Sequence, residues 1–370
     1  MAGLAITAEE VKRRAADLGF TLSGIAPAIA SEHADHVRRW LAAGRHGSMA
    51  YLEKNLELRL SPQALLPGAR TVISVADYLP PTHDRSPHQV GETPEQQSDK
   101  VGGVARYAQY DDYHRIIKKR LHRLADDLQA LAPDEHFRAC VDTAPVLERE
   151  HAARAGLGWV GKNTMLIHPQ LGSHLMLGEL LTTLDLPPDT IESDHCGSCT
   201  RCIDACPTQC ITPYEIDASR CVSYLTIEHR ESIAPDLHEP LGDHLFGCDV
   251  CQDVCPYNQP SRLHRLENAG AAIPHTPPDP YAARPSRLDV LDVLGWDEAA
   301  RREAFTRSAM KRAKLDQMKR NALLVAANYL RRSDDPALLA RIKAIATTDD
   351  EPPLVKQTAE QILKTLSANR

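Results

Sequence analysis

Several absences narrow this chain before any motif is considered. No segment approaches the roughly 18 consecutive apolar residues of a membrane span. The N-terminal MAGLAITAEEVKRRAADLGF has no basic stretch leading into an apolar run of the secretory kind. The expectation is a soluble, cytoplasmic protein without a membrane partner. An overall basic balance is missing too: the formal net charge is -7, which argues against a protein that coats nucleic acid over its whole surface. None of the 17 histidines falls in an H-E-x-x-H spacing. What the chain does have is length and cysteine. Its 370 residues exceed one ordinary core, so two or three domains are expected. Ten cysteines in a reducing compartment point to metal or redox chemistry rather than a disulfide framework.

Along the chain, Thr7 and Glu10 form a capping box ahead of a helix with Val11, Ala15 and Leu18 in phase. TLSGIA (21–26) and RTVISVADY (70–78) read as buried strands, with a helical stretch over 34–56 between them. Leu79 to Val101 is polar and proline-rich and reads as a long loop. DDYHRIIKKRLHRLADDLQAL follows as a helix with Ile117, Leu121, Leu124, Leu128 and Leu131 in phase. FRACVDT is a strand ending at Asp142, APVLEREHAARA a helix, and MLIHPQLGSHLMLGELLTT two strands joined by a turn at 168–173. The predicted organisation is an α/β or α+β domain over 1–189, a ferredoxin-like domain over 190–258, and a proline-rich linker over 259–286. An α-helical region over 287–370 ends in a pair of helices that reads as HEAT-like repeats.

CGSCTRCIDACP places Cys196, Cys199, Cys202 and Cys206 in the C-x2-C-x2-C-x3-C-P spacing of bacterial ferredoxins, whose fourth cysteine ligates the other of two clusters. Structural zinc prefers separated C-x2-C pairs. A second run, CDVCQDVCP, supplies Cys248, Cys251 and Cys255. Crossing the Cys-Pro ligands gives one 4Fe-4S cluster Cys196, Cys199, Cys202 and Cys255, and leaves the other with Cys206, Cys248 and Cys251. Its fourth ligand is Cys210 or Cys221, and spacing does not choose. Cys140, in a predicted strand, reads as a small buried hydrophobe. Two clusters carry single electrons. The chain is therefore an electron carrier, or holds in its first 190 residues the site where electrons are consumed.

GLGWVGKNT (156–164) contains the letters of two nucleotide motifs, but both require a strand before the glycines and a helix after them, and here the order is reversed. A tight glycine turn, or a polar ligand loop using Lys162 and Asn163, is expected instead. Asp142 stands at a strand end, where it is either a helix N-cap or a working carboxylate; as a proton donor it needs a pKa raised by burial. From Arg301 to Arg332 there are ten Lys or Arg against two acids, Glu303 and Asp316, so an acidic chain carries one basic face.

Together, ARYAQYDDYH, VDTAPVLERE, GLGWVGKNTMLI, both cysteine runs and SRCVSYLTIEHR resemble epoxyqueuosine reductases over nearly the whole chain. The resemblance implies a cobalamin-dependent iron-sulfur enzyme, similar to reductive dehalogenases in cofactor use, that reduces the epoxide of epoxyqueuosine to queuosine at the tRNA wobble position. It implies that Cys221 completes the second cluster and Cys210 is a bystander, and that Asp142 is the proton donor. It also places Arg59, Arg106, Tyr107, Lys162, Asn163, Ser223, Cys248 and Asp249 around the corrinoid. Tyr110 departs from the YAxGxDYH pattern, where Gly is common, and HLML replaces a more aromatic run before GEL. The D-x-H-x-x-G signature of cobalt-ligating histidine is absent, which is compatible with such a family. Lys311, Arg312, Lys314, Lys319 and Arg320 are then the expected contacts to tRNA phosphates. The implied partners are tRNA and an external electron donor, the chain acting as a monomer. The alternatives are a corrinoid reductase of a small molecule, dehalogenase-like in kind, a ferredoxin-type carrier, or a zinc protein binding nucleic acid.

Overall fold

The structure is a computed structural model describing residues 6–81 and 100–368. Most of the expected long loop from Leu79 to Val101 lies outside the described residues. The strands, in chain order, are β1 (Leu22–Pro27), β2 (Thr71–Tyr78), β3 (Val101–Val104), β4 (Phe137–Cys140), β5 (Trp159–Val160), β6 (Leu166–Ile167), β7 (Leu175–Thr182), β8 (Ile211–Thr212), β9 (Glu215–Ile216), β10 (His244–Phe246) and β11 (Arg287–Asp289).

The N-terminal part is built on a four-stranded sheet in the order β1-β2-β7-β4, antiparallel throughout. β2 is buried along its whole length because helices cover both faces. Ile73 and Val75 pack with Val11 of helix Ala8–Asp17 and with Ile117, Leu121 and Leu124 of helix Tyr113–Leu131. Val72 and Ala76, alternating with them, pack with Ala152 of helix Glu148–Arg154 on the other face. Gly178 in β7 permits the close approach of the long helix: a Cβ there would stand 2.6 Å from Ile117 Cγ2. The mixed α/β expectation is met, but in two places local pattern misled. β6 and β7 are not a hairpin; β6 pairs with β5, while β7 enters the main sheet between β2 and β4. The helical stretch over 34–56 breaks at Gly44 and Gly47, both at positive φ, into Ala34–Ala42, Tyr51–Lys54 and Leu56–Leu60.

The cysteine-rich segment has little core of its own. Val222, Leu225, Leu241, Leu245 and Phe246 join one hydrophobic cluster with Val293, Met318, Leu323, Ile342 and Val355 of the C-terminal helices. β3, from the N-terminal part, lies between β10 and β11 in a three-stranded sheet, so the segments share a sheet and a core. The proline-rich linker is also structured. It contains helix Pro260–Asn268, and the Tyr281 hydroxyl donates at 2.8 Å to Asp77, a fully buried carboxylate that also meets Arg120. After β11 the chain is helical, ending in Leu315–Leu330, Pro336–Thr347 and Pro353–Ala368. Among the described residues no helix is long and apolar enough to cross a membrane.

Two residues of the expected RNA face belong to this core. The Arg320 side chain has no exposed surface. Its guanidinium donates to the carbonyls of His229 and Glu231, each at 2.7 Å, and of Leu225 at 2.6 Å. Lys319 is buried in an ion pair with Glu351 at 2.9 Å. Neither side chain is available to a phosphate. A run of charges in sequence conceals this, because helix Leu315–Leu330 is covered by its neighbours along its middle turns.

Candidate functional site

Nine of the ten thiols fall into two neighbouring groups. Cys255, buried beside Trp159, packs with Cys196, and its thiol, pushed up to about 11 mainly by burial, also feels Cys196, Cys202 and Cys199. The second group gathers Cys206 and Cys210 with Cys221 and Cys251 around Ile211. Burial first, then the charges of Cys248, Asp249, Cys202 and Cys206, raise the Cys251 thiol well above its ordinary value. Cys202 thus stands at the seam between the groups. Cys206 and Cys210 meet Sγ to Sγ at 3.5 Å, and Cys210 in turn bonds Cys221, so the fifth thiol of this group touches two expected ligands. Among the described residues no three His, Cys, Asp or Glu side chains converge on one point as a single metal ion demands. Two groups of thiols, some buried and some partly exposed, suit iron-sulfur clusters, since thiolates need a cation to offset their burial. Cys140 lies in β4, buried, pushed up to about 12 by burial.

The GLGWVG turn is the hairpin of β5 and β6, and it serves the first group. Trp159 stacks edge-on against Tyr257 and His195, at 4.8 and 4.9 Å, walling the space beside Cys255 and Cys196. Lys162 donates to the carbonyls of Gly197 and Cys199 at 2.6 and 3.0 Å. Asn163, buried, donates to the Cys251 carbonyl at 3.2 Å and accepts from Met165 N–H. Both side chains therefore brace the cysteine loops, and the polar ends of Asn163 are occupied within the protein.

Asp142 does not cap a helix: the next helix begins at Glu148, without a side-chain cap. Its backbone is in the left-handed region, φ 37°, a conformation Asp tolerates better than most residues, and its side chain turns to His114. His114 Nε2 lies 3.0 Å from Asp142 Oδ2, and His114 Nδ1 lies 2.6 Å from Asp112 Oδ1. Asp112 caps helix Tyr113–Leu131 and is ion-paired with Lys311. Tyr113 stacks on the imidazole, with ring centroids 4.0 Å apart. Burial would raise the Asp142 pKa, but the hydrogen bond and charge of His114, with Arg149 and Arg312, outweigh it, so the pKa is lowered. The neighbours of Asp142 thus oppose the raised pKa that a carboxyl proton donor needs. Burial works against the His114 imidazolium, but its bonds to Asp112 and Asp142 prevail and push His114 up to about 9. Behind Asp142, Glu148 Oε1 accepts its backbone N–H at 2.5 Å. Burial, then the charge of Asp142, pushes Glu148 up to about 7. Glu179, fully buried in β7, is held well above the carboxylate range by burial and by Glu148. The sequence reading missed His114, Asp112, Glu148 and Glu179; the one available signal was Asp-x-His at a helix start.

The Asp142 side chain is 53% exposed. Tyr107 feels both Asp142 and Asp249, the residue after Cys248: after burial, these two charges are what most raise its phenol. Phe246 and Tyr113 flank Tyr107. Arg106 donates its N–H to Asp249 at 2.6 Å and its guanidinium approaches Asp253 at 3.5 Å. Arg59 reaches the Val146 carbonyl only at 3.4 Å and its buried Nε has no partner. Ser223 is half-buried at the start of helix Val222–Ile227. An aromatic wall, an underused guanidinium and an acid at the edge fit a large cofactor with polar substituents, as cobalamin is. Lys311, Arg312 and Lys314 are exposed; Arg312 pairs with Glu228 at 2.7 Å and lies 5.7 Å over the Tyr51 ring.

Comparison with known proteins agrees with this geometry. Residues 195–258 match the family model "4Fe-4S double cluster binding domain", and residues 59–143 match "Epoxyqueuosine reductase QueG, DUF1730". The chain is 38% identical over 323 residues to the epoxyqueuosine reductase of Leadbetterella byssophila, covering 86% of this chain and 97% of that one. It is 44% identical over 277 residues to that of Pseudomonas aeruginosa, covering 72% and 75%. Among solved structures it is similar to an epoxyqueuosine reductase with an epoxyqueuosine-modified tRNA-Tyr stem loop, at 28% identity and TM-score 0.80, covering 96% of this chain and 88% of that one. The enzyme from Streptococcus thermophilus matches at 28% identity and TM-score 0.80, covering 96% and 89%. With 38% identity extending over nearly the full length of a curated relative, the chain belongs to the epoxyqueuosine reductase family.

Proposed function

We propose that this chain reduces epoxyqueuosine to queuosine at the wobble position of tRNA anticodons, the last step in making that nucleoside. The carrying observation is that Tyr107 feels the charges of both the acid Asp142 and Asp249, the neighbour of Cys248, which brings the acid and the cysteine loop to one part of the molecule. Removing an epoxide oxygen as water to leave an alkene takes two electrons and two protons. Two 4Fe-4S clusters would supply single-electron transfer from an external electron donor, one held by Cys196, Cys199, Cys202 and Cys255, the other by Cys206, Cys221, Cys248 and Cys251. Cobalamin, when bound, supplies a cobalt centre that gathers single electrons into the pair the epoxide needs. Arg59, Arg106, Tyr107, Ser223, Asp249 and the backbone at Cys248 would hold it, with Lys162 and Asn163 bracing the loops behind. Asp142 protonates the departing oxygen.

Lys311, Arg312 and Lys314 would bind phosphates of the anticodon loop near Asp112 and Asp142. The last helices, read as a HEAT-like pair, buttress that edge, and the enzyme works as a cytoplasmic monomer. The relatives are named for a tRNA nucleoside, which favours this reading over a small-molecule reductase or an electron carrier. The test is anaerobic turnover by metal-loaded protein of epoxyqueuosine-bearing tRNA against the free modified base. Queuosine should form on RNA much faster than on the base, and equal rates on both would contradict the reading.

A further inference from the structure

We propose that His114 is the positioning residue that keeps Asp142 supplied with its proton. Held between Asp112 and Asp142, it passes the Nε2 proton to Asp142 as that acid protonates the departing oxygen, then takes a replacement from water. The inference rests on the proposed epoxide reduction. The geometry is specific. Each ring nitrogen faces a carboxylate oxygen, at 2.6 and 3.0 Å, and a neutral imidazole has only one N–H to offer. With both carboxylates ionised, both nitrogens must donate, so the ring is held as the cation. The ring cannot turn away. Asp112 is fixed as a helix cap, its side chain 1% exposed and tied to Lys311, and Tyr113 stacks on the ring face. His114 is 27% exposed, which gives water a route to reload it.

The step balances. The Nε2–H bond breaks as Oδ2–H forms on Asp142; Oδ2–H breaks as the departing oxygen gains its proton. The electrons for the broken C–O bond come from the one-electron donor through the clusters, and water returns a proton to Nε2. The charged groups facing the pair come from several elements. Asp112 and Tyr113 flank His114 at the helix start. Glu148, Arg149 and Arg312 face Asp142, and Lys311 faces Asp112. Tyr107 and Tyr113 also feel Asp142 and are neutral phenols, raised mainly by burial. The two carboxylates win over burial and the nearby cations, consistent with His114 titrating at about 9.

The test has two arms on the full-length, metal-loaded protein. In the first, imidazole-labelled protein is titrated by NMR, His114 being assigned by its loss in His114→Gln. The ring should stay doubly protonated through pH 8, and Asp112→Asn should lower its midpoint by at least about one pH unit. In the second, single-turnover rates on epoxyqueuosine tRNA are followed from pH 6 to 8 with pre-reduced enzyme. Wild type should be flat, because the pair keeps its proton throughout. His114→Gln should be slower by about 100-fold or more, and its rate should fall as pH rises, because Asp142 alone holds a proton only near the ordinary carboxylate range. A neutral His114 at pH 7 would overturn the proposal whether or not the variant folds, as would a flat profile within threefold of wild type in His114→Gln. Wild-type protein that converts no tRNA would sink the reductase reading itself, while the NMR midpoint reports on His114 separately.

Discussion

Replacing Arg320 by methionine, which keeps much of the volume and removes every donor, separates a core residue from an RNA contact. The wild-type guanidinium donates to three main-chain carbonyls within 2.7 Å and to Asn321 Oδ1. The His229 carbonyl also accepts from Gln317, so the carbonyls of Leu225 and Glu231 lose most. Each buried acceptor left without a donor costs about 1–3 kcal/mol. Set against this is relief from burying a cation, visible in the depression of the Arg320 pKa to about 10 by burial. A net loss of about 3 kcal/mol is expected, which lowers the melting temperature by roughly 4 °C for a chain of 370 residues. Thermal unfolding of the anaerobic holoenzyme, followed by circular dichroism, reads this directly. Stem-loop affinity measured on the folded protein below the transition should change less than twofold. An Arg320→Met protein that melts with wild type yet binds RNA tenfold more weakly would refute the reasoning.

Charge removal at the exposed residues should do the opposite: Lys311→Gln with Arg312→Gln should weaken stem-loop binding and reduce the salt slope by about 0.7–0.9 for each phosphate no longer neutralised. Unchanged affinity across 50 to 200 mM salt would count against that surface. Cys221→Ala should lose about half of the iron, whereas Cys210→Ala should keep it; iron assay with electron paramagnetic resonance checks both, and the reverse pattern would reassign the fourth ligand. Glu179 keeps a proton in the folded state that the unfolded chain releases above pH 4.5. Its raised pKa therefore makes the fold lose about 1.4 kcal/mol per pH unit as pH rises through that window. Glu179→Gln should flatten the fall in melting temperature between pH 5 and 7, and an unaltered slope would place the proton elsewhere.

Much of this was legible because it is local. The strand character of RTVISVADY and the helical phase of Ile117, Leu121 and Leu124 survive folding because burial on both faces selects those patterns. The cysteine runs carry their own spacing, so the double-cluster domain over 195–258 is readable from the motif alone. What stayed hidden depends on distant partners. β7 pairs with strands about a hundred and about forty residues earlier rather than with its neighbour β6. Arg320 looks like one more surface charge until helix Leu315–Leu330 is covered by the cluster segment. His114 acquires meaning only when a strained turn 28 residues later brings Asp142 against it. Asp142 was found by its strand-end position and its resemblance, but its pKa could not be, since the deciding charge belongs to His114.

The central claim is most directly tested by digesting epoxyqueuosine tRNA to nucleosides after anaerobic incubation with the wild-type enzyme or Asp142→Asn, each with measured iron and cobalt. Wild type should convert epoxyqueuosine to queuosine, and Asp142→Asn, with equal metal content, should be slower by about 100-fold or more. Equal conversion by the two proteins, or none by fully loaded wild type, would contradict the account.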